Sequence, residues 1–383
     1  MMERERSIDT LARYMMYTAV AVVILAICWF FRDVIVYMLA AGLVSLIGRP
    51  IMTFFNRLKI KGKGLPSWIY AILTLIIVIG LFLAVLATII PIIAGIAKDI
   101  SMVNVEHAAS SISIPLKEIN DFLITRFPSL GSDFRIETAI LNEVKHLNFI
   151  NVSLFSSIIN SVASFIASFG VGIFSVMFIA FFFLKDEKLF ANIIGALVPD
   201  KHEANAREAY KDIEHLLSRY FIGLIVEIFG IALIDFLGLV FIVRLGFNAS
   251  IGIAFICGVL NIIPYVGPFI GGVIGTVLAV VMKYCCNMPV GLDVNFWVFI
   301  IIIVAIFWFA QIIDGLIYQP VIYSNSIKAN ALEIFIVLLM AGYMGGILGM
   351  LVAIPCYTVI RVIAARFFQN VKFIRKLTGG ISR

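Results

Sequence analysis

Residues 245–282 contain no charged side chain. As one α-helix this run would be about 57 Å long, nearly twice the ~30 Å hydrocarbon core of a bilayer. Pro264, Gly267 and Pro268 interrupt it at its midpoint. Proline removes a backbone donor and clashes with the preceding turn, so one straight helix is excluded. The run therefore predicts two helical arms that meet at Pro264-Tyr265-Val266-Gly267-Pro268, a hairpin that enters and leaves a membrane from the same side.

The rest of the chain fits that solvent. It is 62% hydrophobic and 14% charged, with a mean hydropathy of +1.09, whereas about a quarter of the residues of a soluble domain are charged. The expected fold class is all-α and polytopic: about six full spans plus two re-entrant hairpins in an inverted repeat, with amphipathic surface helices. The formal charge of +6 sits in short basic clusters beside apolar runs, where it sets membrane orientation; nucleic acid is not an expected partner. Cys28, Cys257, Cys285, Cys286 and Cys356 show no metal-ligand spacing and read as small buried hydrophobes. No cofactor or metal is implied.

Spans are expected over 11–31, 34–55, 68–97, 154–184, 220–243 and 296–318. Trp68 and Tyr70 stand where an interfacial anchor belongs. The loop after the second span carries Arg57, Lys59, Lys61 and Lys63, and the C-terminal tail carries Arg361, Arg366, Lys372, Arg375, Lys376 and Arg383. The positive-inside rule places both, and both termini, on the cytoplasmic side. A chain inside at Pro320 and inside again at its end requires the uncharged run 334–360 to fold back, with Gly342, Gly345 and Gly346 at its middle. The expected divisions are 1–97 (scaffold spans), 98–152 (an extracytoplasmic amphipathic region), 153–198 (the fourth span and a turn), 199–218 (a cytoplasmic amphipathic helix) and 219–383 (a transport core).

Within that core, 219–295 and 296–366 each read as a span followed by a hairpin, in opposite orientations, which is an inverted-topology repeat. The first span carries Asp235 and its hairpin Gly267, Gly271 and Gly275; the second carries Asp314 and Gly342, Gly345, Gly346 and Gly349. Glycines at this spacing let helices approach closely. Broken helices at membrane depth supply polar groups to solutes, so the tips, with their backbone amides, Asn261 and Tyr265, form the expected binding region.

Ionisable residues within spans face a cavity or a partner. Asp235 and Asp314 are the expected functional pair. Glu227 lies eight residues before Asp235, on the same broad face but not in the same site, and Glu227 and Glu333 also read as solvated residues near the interface. No metal-binding oxygen cluster is evident near the tips. The four histidines, His107, His146, His202 and His215, all fall in polar segments, which removes an intramembrane Ser/His or HExxH protease. A paired-aspartate protease remains as a minor alternative, although Asp235 and Asp314 lack the GxGD loop.

Asn261-Ile262-Ile263-Pro264-Tyr265-Val266-Gly267-Pro268, Gln311-Ile312-Ile313-Asp314-Gly315 with Gln319-Pro320, Phe182-Phe183-Leu184-Lys185-Asp186, Arg219-Tyr220-Phe221-Ile222-Gly223 and the run from Gly345-Gly346 to Pro355 together resemble the autoinducer-2 exporter family of bacterial transporters, over essentially the whole chain. The resemblance implies an oligomeric exporter of small hydrophilic molecules, with Asn261, Pro264, Tyr265, Gly267, Pro268, Glu227, Asp235, Gln311, Asp314, Gly345 and Gly346 as substrate-binding or coupling residues. Some members resemble sodium or lithium/proton antiporters, so protons or monovalent cations are the second expected class of partner.

Overall fold

A computed structural model describes residues 29–57, 66–101, 105–126, 170–186, 198–286, 291–324 and 330–368, with isolated positions elsewhere. Every regular element among them is a helix. Six are long and apolar enough to cross a membrane: Arg32–Arg57, Ser67–Ile100, Asp200–Val243, Val266–Tyr284, Phe296–Ile322 and Gly349–Phe367. The expected span 11–31, the larger part of 154–184, the basic residues 59–63 and most of the basic tail lie outside the described residues.

Contacts divide the chain into two compact units, 1–78 with 167–193, and 79–166 with 194–383. In the first, helix α1 (Arg32–Arg57) buries Ala41, Ser45, Gly48 and Met52, a stripe of mostly small side chains at helical spacing. A methyl group on Gly48 would stand 2.9 Å from Thr74 and 3.4 Å from Leu184, so α1 packs backbone-close against the start of α2 (Ser67–Ser101) and against α4 (Gly170–Lys185). Lipid supplies no hydrophobic drive between helices, and close approach of this kind replaces it. Trp68 is exposed but Tyr70 is buried at 5%. Two residues on a helix differ by about 200°, so the expected anchor reduces to Trp68. Helix α3 (Val105–Arg126) falls within the expected amphipathic region and belongs to the second unit.

The second unit is organised by α5 (Asp200–Leu237), which runs on through a π-helical segment, Gly238–Val243. The expected surface helix and the expected fifth span are thus one uninterrupted rod, and the polar half does not lie on lipid alone. Its apolar stripe of Ala209, Ile213 and Leu216 packs on Val362, and Arg366 donates to Asp212 at 2.9 Å. A left-handed Arg244 and Gly246 at φ 82° turn the chain into α6 (Phe247–Leu260).

Helices α6 and α7 (Val266–Tyr284) double back on each other where the first hairpin is expected. Cys257 Sγ donates to the Gly271 carbonyl at 3.2 Å, a contact between residues fourteen apart that a straight helix would hold some 21 Å from each other. A Cβ on Gly267 would overlap the Leu260 carbonyl oxygen, so the tip closes only because that position has no side chain. Tyr265 makes the reversal with φ 65°.

Helix α8 (Phe296–Ile313) begins on an Asn295 cap and continues into π-helical segments Asp314–Tyr318 and Pro320–Ser324. Helix α9 (Ala331–Phe367) breaks at Gly346, where φ 58° and ψ −143° are open to glycine alone. Tyr357 donates to Glu333 at 3.1 Å, so the two arms of α9 lie side by side as the second expected hairpin. Gly342 and Gly349 do pack tightly, against Met350 and the Ala341 carbonyl. Gly345 and Gly346 do not: a Cβ on either meets nothing within 4 Å, because they form the turn rather than the seam. Of the cysteines, Cys257 and Cys285 are buried as expected, but Cys356 is exposed on the outer side of α9.

Candidate functional site

Helix α5 buries Tyr220, Leu224, Glu227, Ile231 and Asp235 at spacings of three and four, one stripe turned into the protein. Glu227 is 2% exposed, which overturns its reading as a solvated interface residue. Asn261, which caps the C-terminal end of α6 at the first hairpin's tip, donates its amide to Glu227 Oε1 at 3.2 Å. From α8, Asp314 meets Glu227 carboxyl to carboxyl within hydrogen-bonding reach. Gln319 then donates to Asp314 Oδ2 at 2.7 Å. The site thus joins the broken ends of three elements: the tip after α6, the π-helical end of α8 and the middle of α5.

Two carboxylates have no donor between them, so their contact closes as a hydrogen bond only when one holds a proton. Without it, Glu227 Oε2 and Asp314 Oδ1 are buried acceptors with no partner, and Asn261 Oδ1 is another. Buried carboxylate oxygens are costly unless paired, and neither acid makes an ion pair among the described residues. The arrangement therefore suits a proton, or a small cation bound by oxygen atoms. This oxygen cluster was not evident in the sequence.

Asp235 is equally buried, at 1%, but Asp314's carboxyl partner is Glu227. The Asp235 Oδ1 has no hydrogen-bond partner among the described residues. Glu227 and Asp235 stand eight residues, about two turns, apart along α5, so it is the Glu227 carboxyl that meets Asp314.

The tip offers less than expected. The amides of Asn261, Ile262, Ile263, Val266 and Gly267 already donate to carbonyls of Cys257, Val259, Leu260, Pro264 and Ile263, so they are spent on the turn itself. Pro264 is buried within that turn. Tyr265 stacks edge-on against Phe335 at 5.8 Å, which sets the first tip beside the open end of the second hairpin. Tyr265, Pro268 and Gln311 line a cavity with Gln319. Gly345 and Gly346 are exposed at the second tip. Sequence reading missed Gln319 as a carboxyl partner, and it missed Gly223, Gly230 and Gly238. The last three stand seven and eight residues apart on α5, and side chains there would collide with Ile322, Tyr318 and Ile306 respectively; that spacing was the available signal.

Residues 19–369 match the family described as AI-2E family transporter. The chain is 26% identical to "Putative transport protein YueF" of Bacillus subtilis (strain 168) over 343 residues, 89% of this chain and 85% of that protein. It is 28% identical to "Putative transport protein YrrI" of the same organism over 198 residues, 51% of each. It is 24% identical to "Putative permease PerM" of Escherichia coli (strain K12) over 254 residues, 65% of this chain and 67% of that one. A multi-pass chain of apolar helices, with two doubled-back hairpins around a buried carboxyl pair, belongs to the AI-2E family of bacterial transporters, and its role is transport across a membrane.

Proposed function

We propose that the protein is a secondary transporter, not an enzyme, that exports a small solute of the autoinducer-2 kind across the cytoplasmic membrane in exchange for protons. Glu227 and Asp314 carry the proton. The observation behind this reading is the carboxyl contact itself, made between the tip-bound Glu227 and the broken end of α8. A proton entering or leaving that contact changes what joins the first hairpin to α8, and this is the differential interaction that an alternating-access step needs. The hairpins re-enter the membrane from opposite faces, with both termini cytoplasmic, and several copies assemble through the exposed apolar surface.

A second reading, exchange of sodium or lithium for protons, is favoured by the unpaired oxygens of Glu227, Asp314 and Asn261. The two separate in liposomes carrying a pH gradient. Solute-dependent collapse of the gradient, lost in Glu227→Gln and Asp314→Asn and indifferent to sodium, lithium and potassium, is expected. Collapse on adding a cation alone, lost in the same variants, would replace the exporter by the antiporter.

A further inference from the structure

A cavity of about 700 Å³ opens between α7 and α8, within the range of small-molecule sites. Its walls are mainly apolar and aromatic, with Phe269, Val273, Phe307 and Trp308 prominent. Hydrogen-bonding side chains also line it: Tyr265, Gln311, Gln319 and Thr276, the last with its hydroxyl donating to the Gly272 carbonyl of its own helix at 2.7 Å. The Tyr265 hydroxyl and the Gln311 amide have no hydrogen-bond partner among the described residues. Gln319 is committed, since its amide holds Asp314 at 2.7 Å. One side chain is therefore shared by the cavity wall and the carboxyl pair. A second link runs through the tip, where Tyr265 follows by four residues the Asn261 that holds Glu227.

Gly272 makes room for the cavity. A Cβ there meets nothing within 4 Å, whereas one on Gly271 touches Cys257 at 3.4 Å and one on Gly275 crowds Phe307 at 2.6 Å. Two of these three glycines close the hairpin and the third faces open space.

We infer that this cavity receives the transported molecule, and that the molecule is a neutral amphipathic solute, with a ring or short apolar body along Phe269 and Trp308 and a hydroxyl or carbonyl at Gln311 and Gln319. The inference rests on the transport reading, and it replaces the hydrophilic solute implied by the resemblance with a less polar one. A fully hydroxylated solute would press polar groups against aromatic walls, and the tip amides of Asn261, Ile262, Ile263, Val266 and Gly267 are already used. A purely apolar one would leave Gln311 unanswered. A solute hydroxyl that draws the Gln319 amide off Asp314 withdraws a donor from that carboxyl, and through this shared side chain binding in the cavity is linked to the proton held with Glu227.

The test uses the full chain in liposomes and 4-hydroxybenzophenone as a photoreactive probe, with adducts mapped by mass spectrometry and 1-naphthol as competitor. Saturable labelling along the cavity faces of α7 and α8 is expected, lowered about tenfold by Gly272→Phe and by Gln311→Leu. Circular dichroism and size-exclusion chromatography check that both variants fold. Proton uptake or release on adding 1-naphthol should be seen in the parent chain and lost in Gln319→Leu. Non-saturable labelling spread over exposed positions such as Phe241 and Leu316, unchanged by Gly272→Phe, would make the cavity a lipid groove and overturn the inference. If saturable labelling persists while solute-driven proton flux is absent, the transport reading fails and the site stands; if flux is present and labelling is scattered, only the site falls.

Discussion

The first hairpin is fixed at its tip, where Asn261 holds Glu227 and Ile262 joins the cluster around Tyr220 and Leu338, whereas the second is fixed at its open end, where Glu333 accepts from Tyr357 and faces Arg361 at 3.7 Å. The second tip is bare: Tyr343 is 96% exposed and Met344 84%. The two hairpins are thus clamped at opposite ends. The first tip cannot shift without disturbing the carboxyl pair, while the second can shift without breaking a packed contact, which is the low-stability character that moving segments require.

The largest expected effect tests the fixed tip. Gly267→Val places a branched side chain against the Leu260 carbonyl, a backbone collision that should cost about 3 kcal/mol or more. Thermal unfolding in detergent should show a collapse in melting temperature; a variant that melts with the parent chain would mean that the first hairpin opens freely. Next comes the clamp of the second hairpin. Glu333→Ala removes the acceptor for Tyr357, the carboxylate facing Arg361 and the capping contact to Asn330, and should cost about 2 kcal/mol. Hydrogen exchange should rise over 331–340 while remaining unchanged over 257–267, and equal increases in both would erase the contrast.

Gly346→Ala is smaller, about 1–2 kcal/mol, because its cost is backbone strain at φ 58° with no clash. It should slow solute flux more than it lowers the melting temperature if the turn is a moving part, and a purely thermal effect would count against motion there. Gly345→Ala should lie within about 0.5 kcal/mol of the parent chain, since its Cβ enters open space. A large loss in that variant would show that the second tip is packed against something, most simply another copy of the chain.

Much of this contrast was legible in the residues. The hairpin at Pro264 follows from a charge-free run too long to cross once, and the fold-back at Gly346 from the positive-inside expectation for a basic tail. Burial of Asp235 and Asp314 follows from the cost of a carboxyl in an apolar helix. The pairing of Glu227 with Asp314 was not legible, because it depends on how far α5 slides along α8, and that register is set by Gly223, Gly230 and Gly238 meeting Ile322, Tyr318 and Ile306. Nor was the π-helical winding at Asp314, which has no residue signature of its own and arises from packing. Tyr265 hid its turn for a related reason, since a positive φ is ordinarily announced by glycine or asparagine.

The unbroken run from Asp200 to Val243 spans 44 residues, about 66 Å, or twice the thickness of the hydrocarbon. Its polar half is tied to the far arm of the second hairpin through Val362 and Arg366, and its buried half to the first hairpin through Glu227 and the seam where Gly258 meets Ile228. Such a rod is a lever loaded on either side of its middle: Asp212 and Glu227 stand fifteen residues, about 22 Å, apart along it. Pivoting it by about 5° between them moves each attachment about 1 Å, in opposite directions. A stiff helix would carry an event at the carboxyl pair to the second hairpin as a displacement of that size, with no chain of intermediate side chains needed to relay it.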